Sequence, residues 1–469
     1  MRDFLALSYE ELEELNLKAK AERLERKSAD STREVRLKYL TDEKRIKAVT
    51  VCFVDLEGRL HMLDYDKKFL LSSYDNLTFD GSSIRGFSQI VESDLRLGID
   101  WGAFYWLPAD IFGAGKVLVF GEVLERSGAA YAADLRSVLK AYTLELFEKQ
   151  GFTCNVANEI EGFVFKGEHA EQNYAVNGKF EFLSEGGYYH TLPGDGIRTF
   201  IDTSAEVQRA MGFENEKDHP EVAPSQFEMN YSYTEAVIAS DQVILYKLIA
   251  RQVARMQGLT ASFLPKPVTG INGSGMHTNM SISKGKTNLF YQVDGEYGLS
   301  EFGTQAIHRI LNSALDICLI LNPSVNAYRR LDPHYEAPNQ IKYSPIDRSS
   351  MIRVPLANSK SARVEVRSVA PDSNPYLTIY SLFKTAVEGS LPKSTNFNRV
   401  LPDNIYDAIT PFQKSAYVKS ILGADVQAKY AELKLESAHR CPRLLGSKIK
   451  TAEIQYHHEV YNQLLWSDF

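Results

Sequence analysis

Three well-separated segments of this chain repeat a chemistry-bearing side chain at every second position. In Asn158–Phe165 (NEIEGFVF), Glu159 and Glu161 stand two apart, and in strand conformation both carboxylates leave the same face of a sheet. In Gly270–Ser283 (GINGSGMHTNMSIS), a glycine-rich turn leads into His277, Asn279 and Ser281 at the same interval. In residues 363–367 (RVEVR), Arg363, Glu365 and Arg367 fill one face and Val364 and Val366 the other. A period of two predicts strands with one polar and one apolar face. Like charges side by side on such a face require a cation or shared protons, unless the strand merely fronts water.

Other acids and bases extend the pattern. In His219–Asn230 (HPEVAPSQFEMN), Pro224 argues against a continuous helix between Glu221 and Glu228, and a strand–turn–strand would let the two carboxylates converge. Arg329, Arg330, Arg348, Arg353, Arg363 and Arg367 crowd one stretch beside Glu336, which suggests anion clamps, since guanidinium binds phosphate and carboxylate bidentately. Many glutamates with one histidine make an oxygen-rich, hard ligand set, favouring Mg²⁺ or Mn²⁺ over zinc. Gly285-Lys286-Thr287 ends like a phosphate loop, but Met280 occupies the place of its first glycine, so that match fails.

Composition bounds the function. With Lys+Arg 53 against Asp+Glu 60, the net charge of −7 is mild for 469 residues and gives no support to nucleic-acid or anionic-membrane binding. Hydrophobic residues at 44% and charged residues at 24% describe a compact globular chain, long enough for two domains. Cys52, Cys154, Cys318 and Cys441 are far apart and read as reduced thiols of a cytoplasmic protein rather than a disulfide framework or zinc ribbon. The acidic N-terminus is no signal peptide, and no stretch approaches the roughly 18 consecutive apolar residues of a membrane span.

Along the chain, Ser8 and Glu11 resemble a capping box that opens an amphipathic helix to about Glu25. A charged connector follows over 26–45, then a strand at Ala48–Asp55 with a turn at Gly58. Turn signals to about Ala130 outline a small, mostly β domain over 46–130, after an N-terminal extension over 1–45. A helix near Leu135–Gln150 opens a second domain over 131–469, with loops expected at Ser184–Gly196, Asp218–Ser225, Pro265–Gly275 and Asp332–Asp347 and a packed terminal helix at Thr451–Phe469.

The segments TFDGSSIRGF (78–87), VESD (91–94), NEIEGFVF, EVAPSQFE (221–228), NGSGMH (272–277), NPSVNAYRRL (322–331), YEAPNQ (335–340) and RVEVR stand in an order that resembles the class I glutamine synthetases. That resemblance runs from about residue 46 to the C-terminus. It implies an α+β fold: a small β-grasp-like N-terminal domain, then a large catalytic domain with a curved antiparallel half-barrel sheet flanked by helices. It also implies a glutamate–ammonia ligase that consumes ATP through a γ-glutamyl phosphate.

By the same resemblance Glu161, Glu221 and Glu228 hold one metal ion, Glu159, His277 and Glu365 a second, and a third arrives with ATP. Arg330, Arg367, Asn272 and Gly273 match glutamate-binding positions. Arg348, Arg353, Lys360 and Arg363, with Glu216, His219 and Ser281, match positions near the nucleotide. Glu336 matches the flap residue that shields the intermediate, and Asp80 the carboxylate that deprotonates ammonium, lining its pocket with Ser83, Tyr188 and Glu221. The family implies a homododecamer of two hexameric rings, with Asp80 supplied by the neighbouring subunit. Asn279 departs from a family histidine, Phe87 from a tryptophan of one subgroup, and Gln89 from a feedback arginine of another. Asn396–Pro402 lacks a tyrosine suited to adenylylation. A γ-glutamyl ligase for a larger amine and a catalytically impaired regulatory homologue are the alternatives.

Overall fold

The computed structural model describes residues 5–88, 94–190, 194–394, 397 and 399–451. Gln89, most of VESD, part of Asn396–Pro402 and the expected terminal helix beyond Thr451 lie outside the described residues. The architecture is α+β, built on two sheets.

The first sheet has five strands in the order Leu60–Asp66, Ala48–Val54, Lys116–Leu124, Asp94–Trp106 and Leu77–Asp80. Ala48–Val54 lies parallel to Lys116–Leu124, and the other pairs are antiparallel. Alternation along Ala48–Val54 decides what each face touches. Val49, Val51 and Phe53 pack into one apolar cluster with Leu12 and Leu40 of the N-terminal extension. Cys52 and Val54 enter the larger core shared with the rest of the chain. At that junction Gly58 has φ +97, and a Cβ there would stand 2.8 Å from Asn374 Cα. Asn374 Nδ2 donates to the carbonyls of Asp55 and Leu56 at 3.2 Å each.

The second sheet has ten strands and curls into a half-barrel. Its path runs Gln340–Ser344, Ser350–Arg353, Val364–Val366, Met276–Lys284, Phe152–Lys166, Gln226–Tyr231, Asn215–Pro220. One face is apolar: Val156, Ile160 and Val164, then Met276, Met280 and Ile282, then Phe227 and Met229, then Val364 and Val366, all buried. These residues share a core with the helices Leu135–Gln150, Ala236–Met256 and Pro375–Glu388. The intervening positions form the opposite face.

Four expectations are corrected. The connector over 26–45 holds a helix, Ala29–Asp42, capped by Ser28. Its buried contacts include a charged residue, Arg36, whose guanidinium lies 5.2 Å from the Trp106 ring and 2.8 Å from Glu22, so hydropathy reads it as solvated. The loop Asp332–Asp347 contains the strand Gln340–Ser344, and Asp218–Pro220 closes the strand Asn215–Pro220. Gly196 begins the helix Gly196–Ala210, whereas the extension's first helix, Tyr9–Leu24, carries the expected Ser8/Glu11 capping box.

Candidate active site

Register carries the polar residues onto one face of the ten-stranded sheet. Glu159 stands opposite His277, Asn279 opposite Glu365, and Glu365 opposite Arg353. On the other side Glu161 stands opposite Glu228, and Glu228 opposite His219. Directly opposed residues of antiparallel strands share a face, so this row of side chains crosses five adjacent pairings with the apolar core behind it.

Among the described residues, two groups bring ligand atoms within 4.8 Å of one another: Glu159, His277 and Glu365, and His219, Glu221 and Glu228. The first is the expected trio. In the second, His219, assigned by resemblance to the nucleotide side, joins the two glutamates. Glu161 faces them, its Oε2 accepting the Gly275 N–H at 2.6 Å.

The two groups differ electrostatically. His277 Nδ1 lies 3.5 Å from Glu159 and 3.6 Å from Glu365. Arg353 and Arg367 pair with Glu365 at 2.8 and 3.2 Å. Asn279 Nδ2 donates to Glu159 at 3.0 Å and its Oδ1 accepts from Arg363 Nε at 2.8 Å. Burial works to raise the Glu159 carboxyl, but His277 and Asn279 outweigh it and hold it at about 2. The opposite holds across the sheet. Burial and then the neighbouring Glu228 push Glu221 up to about 7, and burial with Glu221 and Glu228 pushes Glu161 well above the carboxylate range. His219 Nε2 is buried and lies 3.4 Å from Glu228. With Glu161 and Glu221 raised by burial and neighbouring acids, carboxyls crowded beside an imidazole are a donor set suited to a divalent cation.

Arginines and a tight loop frame both groups. Arg330, 3% exposed, donates to the carbonyls of Val369 and Arg367 at 3.2 and 3.0 Å and lies 3.4 Å from His277 Nε2. A Cβ on Gly275 would stand 2.3 Å from Arg330 Nη2, and one on Gly273 would stand 2.4 Å from the Pro265 carbonyl. Sequence reasoning missed the residues that hold this loop. Gln226 Nε2 donates to the Gly273 carbonyl at 2.9 Å, and Asn326 grips both the N–H and the C=O of Lys266 at 2.6 and 2.9 Å. Both lie inside segments already singled out, EVAPSQFE and NPSVNAYRRL. Glu336 adopts φ +62, in the region a non-glycine residue enters at a cost, and its carboxylate takes Asn272 at 3.2 Å and Arg348 at 2.5 Å.

Other expected residues lie further out. Tyr188 is exposed and stacks on Tyr189, and both rings meet His219 edge-on at 5.3 and 4.6 Å. Glu216 bonds Ser232, Lys360 lies in an exposed turn, and Ser281 lies along the strand Met276–Lys284. Asp80 and Ser83 sit at the edge of the five-stranded sheet, where Asp80 accepts from Ser82 and from Ser83 Oγ at 2.8 Å. Those bonds, the Ser82 hydroxyl first, lower its pKa. Among the described residues, no hydrogen bond or ion pair joins Asp80, Ser83, Glu216, Ser281 or Lys360 to the two groups.

Fold and site together define a cation-assisted enzyme of phosphoryl transfer: hard ligands for metal ions, with guanidiniums to take up phosphate and carboxylate charge. Residues 132–445 match the glutamine synthetase catalytic domain, and residues 45–126 the glutamine synthetase β-grasp domain. Glutamine synthetases of Staphylococcus aureus strains MRSA252 and MW2 and of Staphylococcus epidermidis are each 34% identical to it over 425 residues, covering 85% of this chain and 93% of each relative. The chain belongs to the glutamine synthetase family.

Proposed function

We propose that the chain performs its family's reaction, ATP-dependent ligation of ammonia to L-glutamate, on the polar face of the ten-stranded sheet. One observation carries this reading: acids and histidines from five strands and the turn after Pro220 converge there beside five arginines, Arg330, Arg348, Arg353, Arg363 and Arg367. The domain limits are 1–45 for the extension, 46–130 for the β-grasp domain and 131–469 for the catalytic domain, in a cytoplasmic enzyme.

Glu161, Glu221 and Glu228, joined by His219, would hold one Mg²⁺ or Mn²⁺, and Glu159, His277 and Glu365 a second, with a third ion accompanying ATP. When bound, these ions neutralise phosphate charge and polarise the oxygens of the transferring group. Arg330 and Arg367, with Asn272 and Gly273, grip glutamate, and the tight Gly273–Gly275 backbone admits its approach. Arg348, Arg353, Lys360 and Arg363, with Glu216 and Ser281, face the nucleotide. Glutamate's γ-carboxylate attacks the γ-phosphorus of ATP, releasing ADP and forming γ-glutamyl phosphate. Glu336, tied to Asn272 and Arg348, covers that acyl phosphate against water. Asp80, held ionised by Ser82 and Ser83, takes a proton from ammonium, and the resulting ammonia displaces phosphate to give glutamine. Ser83, Tyr188 and Glu221 complete the ammonium pocket.

Asp80 is exposed and apart from its own chain's glutamates, which supports an active site shared between neighbouring subunits of a homododecamer. The full set of ligands and arginines argues against an inactive regulatory homologue, and the retained ammonium-pocket residues argue against a larger amine. Phosphate release with ATP, glutamate and a panel of amines tests the reading. Ammonium preferred by orders of magnitude is expected, and equal use of a larger amine refutes it.

A further inference from the structure

We infer that the first helix, Tyr9–Leu24, is an interdomain strap whose buried polar residues Asn16 and Arg23 set the angle at which the five-stranded sheet presents Asp80. The inference rests on the reading of Asp80 as the group that takes ammonium's proton.

Asn16, 3% exposed, spends its whole amide on bridging the two sheet units. Its Nδ2 donates to the Trp106 carbonyl at 2.9 Å and to the Ala210 carbonyl at 2.8 Å, and its Oδ1 accepts the Trp106 N–H at 3.0 Å. Trp106 ends the strand Asp94–Trp106 of the five-stranded sheet, and Ala210 ends a helix of the larger unit. Gly212, at φ +79, brings the backbone against this contact, and a Cβ there would stand 3.1 Å from Asn16 Cβ. One turn further, Lys20 pairs with Glu214 at 2.7 Å.

Arg23 repeats the bridge with charge. Its Nη1 donates to Tyr105 of the five-stranded sheet at 3.1 Å, and its Nη2 pairs at 2.8 Å with Asp241, which is fully buried on the helix Ala236–Met256. Asp241 also takes Arg136 Nε at 2.8 Å and the Tyr376 hydroxyl at 2.7 Å, and Arg136 reaches Asp100 of the small sheet at 2.9 Å. Apolar contact alone lets two surfaces slide, whereas hydrogen bonds to a buried carboxylate and to backbone groups fix register, because a displaced partner is left unsatisfied.

The strand that Asn16 grips at Trp106 pairs, at its other end, with the strand bearing Asp80, in the register Asp80 opposite Asp94. A register shift between Ile99 and Phe104 shortens that first strand, so its 13 residues span roughly 30 Å, less than about 3.3 Å per residue would give. Over that lever a tilt of about 2 degrees moves Asp80 by about 1 Å, a displacement that can cost on the order of a hundredfold in rate. Asn16 and Arg23 are thus positioning residues, remote from every ligand group.

The test uses the full-length protein as Asn16→Ala, Arg23→Ala and Arg23→Lys, with Asp80→Asn as reference. KM for ammonium, glutamate and ATP is measured beside hydrogen exchange at Trp106 and over Leu77–Asp80. The expected result is an ammonium KM raised about tenfold in the alanine variants, glutamate and ATP KM within about twofold, partial rescue in Arg23→Lys and faster exchange at Trp106. Ammonium KM and kcat both unchanged, while Asp80→Asn is impaired, overturn the strap. A loss of kcat with every KM unchanged overturns it where circular dichroism shows the same loss of folded protein; beyond that loss it is the rate cost of a displaced Asp80. Should Asp80→Asn itself use ammonium normally, the Asp80 reading fails, and hydrogen exchange alone decides the strap: accelerated exchange supports it, unchanged exchange overturns it.

Discussion

Replacing Glu221 with glutamine should stabilise the protein when divalent cations are chelated, although it removes a proposed ligand. Glu221 is raised from 4.5 to about 7 by burial and by Glu228. An acid raised in the folded state binds a proton that the unfolded chain has already shed. Stability therefore falls as pH rises from 4.5 to about 7 and stays lowered above. That interval corresponds to about 3 kcal/mol at 1.36 kcal/mol per pH unit. With an unfolding entropy of about 2.1 cal/mol/K per residue, the whole chain would shift its thermal midpoint by about 3 °C. Scanning calorimetry in chelator at pH 8 should show Glu221→Gln melting higher than the parent by about that amount, with the gap closing near pH 4.5. Added Mg²⁺ should raise the parent's midpoint and the variant's far less. A variant that melts lower in chelator, or gains as much from Mg²⁺ as the parent, would refute the account of this cluster as strained by its own charge.

Three further outcomes follow from particular contacts. Gly275→Ala places a Cβ 2.3 Å from Arg330 Nη2, so Arg330 must move; the glutamate KM should rise about tenfold or more while the folded fraction measured by circular dichroism holds. Asn279→Ala cuts the link from Glu159 to Arg363 and should raise the ATP KM by about tenfold, the equivalent of one charge-assisted hydrogen bond, with glutamate KM little changed in the same kinetic runs. Glu57 is lowered to about 2: burial opposes its charge, but Lys434 at 2.7 Å and Arg85 outweigh it. Its contribution, about 3 kcal/mol, is present above pH 4.5 and lost as pH falls toward 2, so in acid titrations followed by tryptophan fluorescence Glu57→Gln should be less stable at pH 7 and converge on the parent near pH 2.

The polar face was legible because it is written within single segments. Glu159 and Glu161, or Arg363, Glu365 and Arg367, share a face by strand period alone, and the valines between them predict the buried side. Which acids share an ion was not legible from period, since it depends on the pairings that set Glu161 beside Glu228 and Glu228 beside His219. Resemblance supplied most of that partition but left His219 outside it. The N-terminal extension was read least well. Beside the apolar Leu12 and Leu40 it docks through Asn16, Lys20, Arg23 and Arg36, whose composition is that of a solvated helix. Gln226 and Asn326 escaped notice for a related reason: each satisfies backbone groups remote in sequence, and no local pattern marks such a residue.

The unequal charge of the two clusters carries a last consequence. Around Glu159 and Glu365 the chain supplies its own countercharges, Arg353 and Arg367, and Glu159 is ionised well below neutrality. An ion entering there displaces no proton from Glu159 near neutral pH. Around Glu161 and Glu221 the chain supplies far less, with Arg330 the principal cation acting on Glu161, and these two carboxyls hold protons until a cation takes their place. Binding at this group must release protons and weaken as pH falls below about 7. Calorimetric titration with Mn²⁺ in buffers of different ionisation enthalpy should resolve two classes of site. One class should release carboxyl protons near pH 6.5 and lose affinity by up to about tenfold per pH unit below about 7, and the other should release fewer protons and weaken less steeply. Glu221→Gln should reduce the proton release of the first class, leaving the share of Glu161, and Glu365→Gln should remove only the second. Equal proton release at both classes would mean that the arginines do not neutralise the Glu159 group, and the division of labour between the two clusters would fall with it.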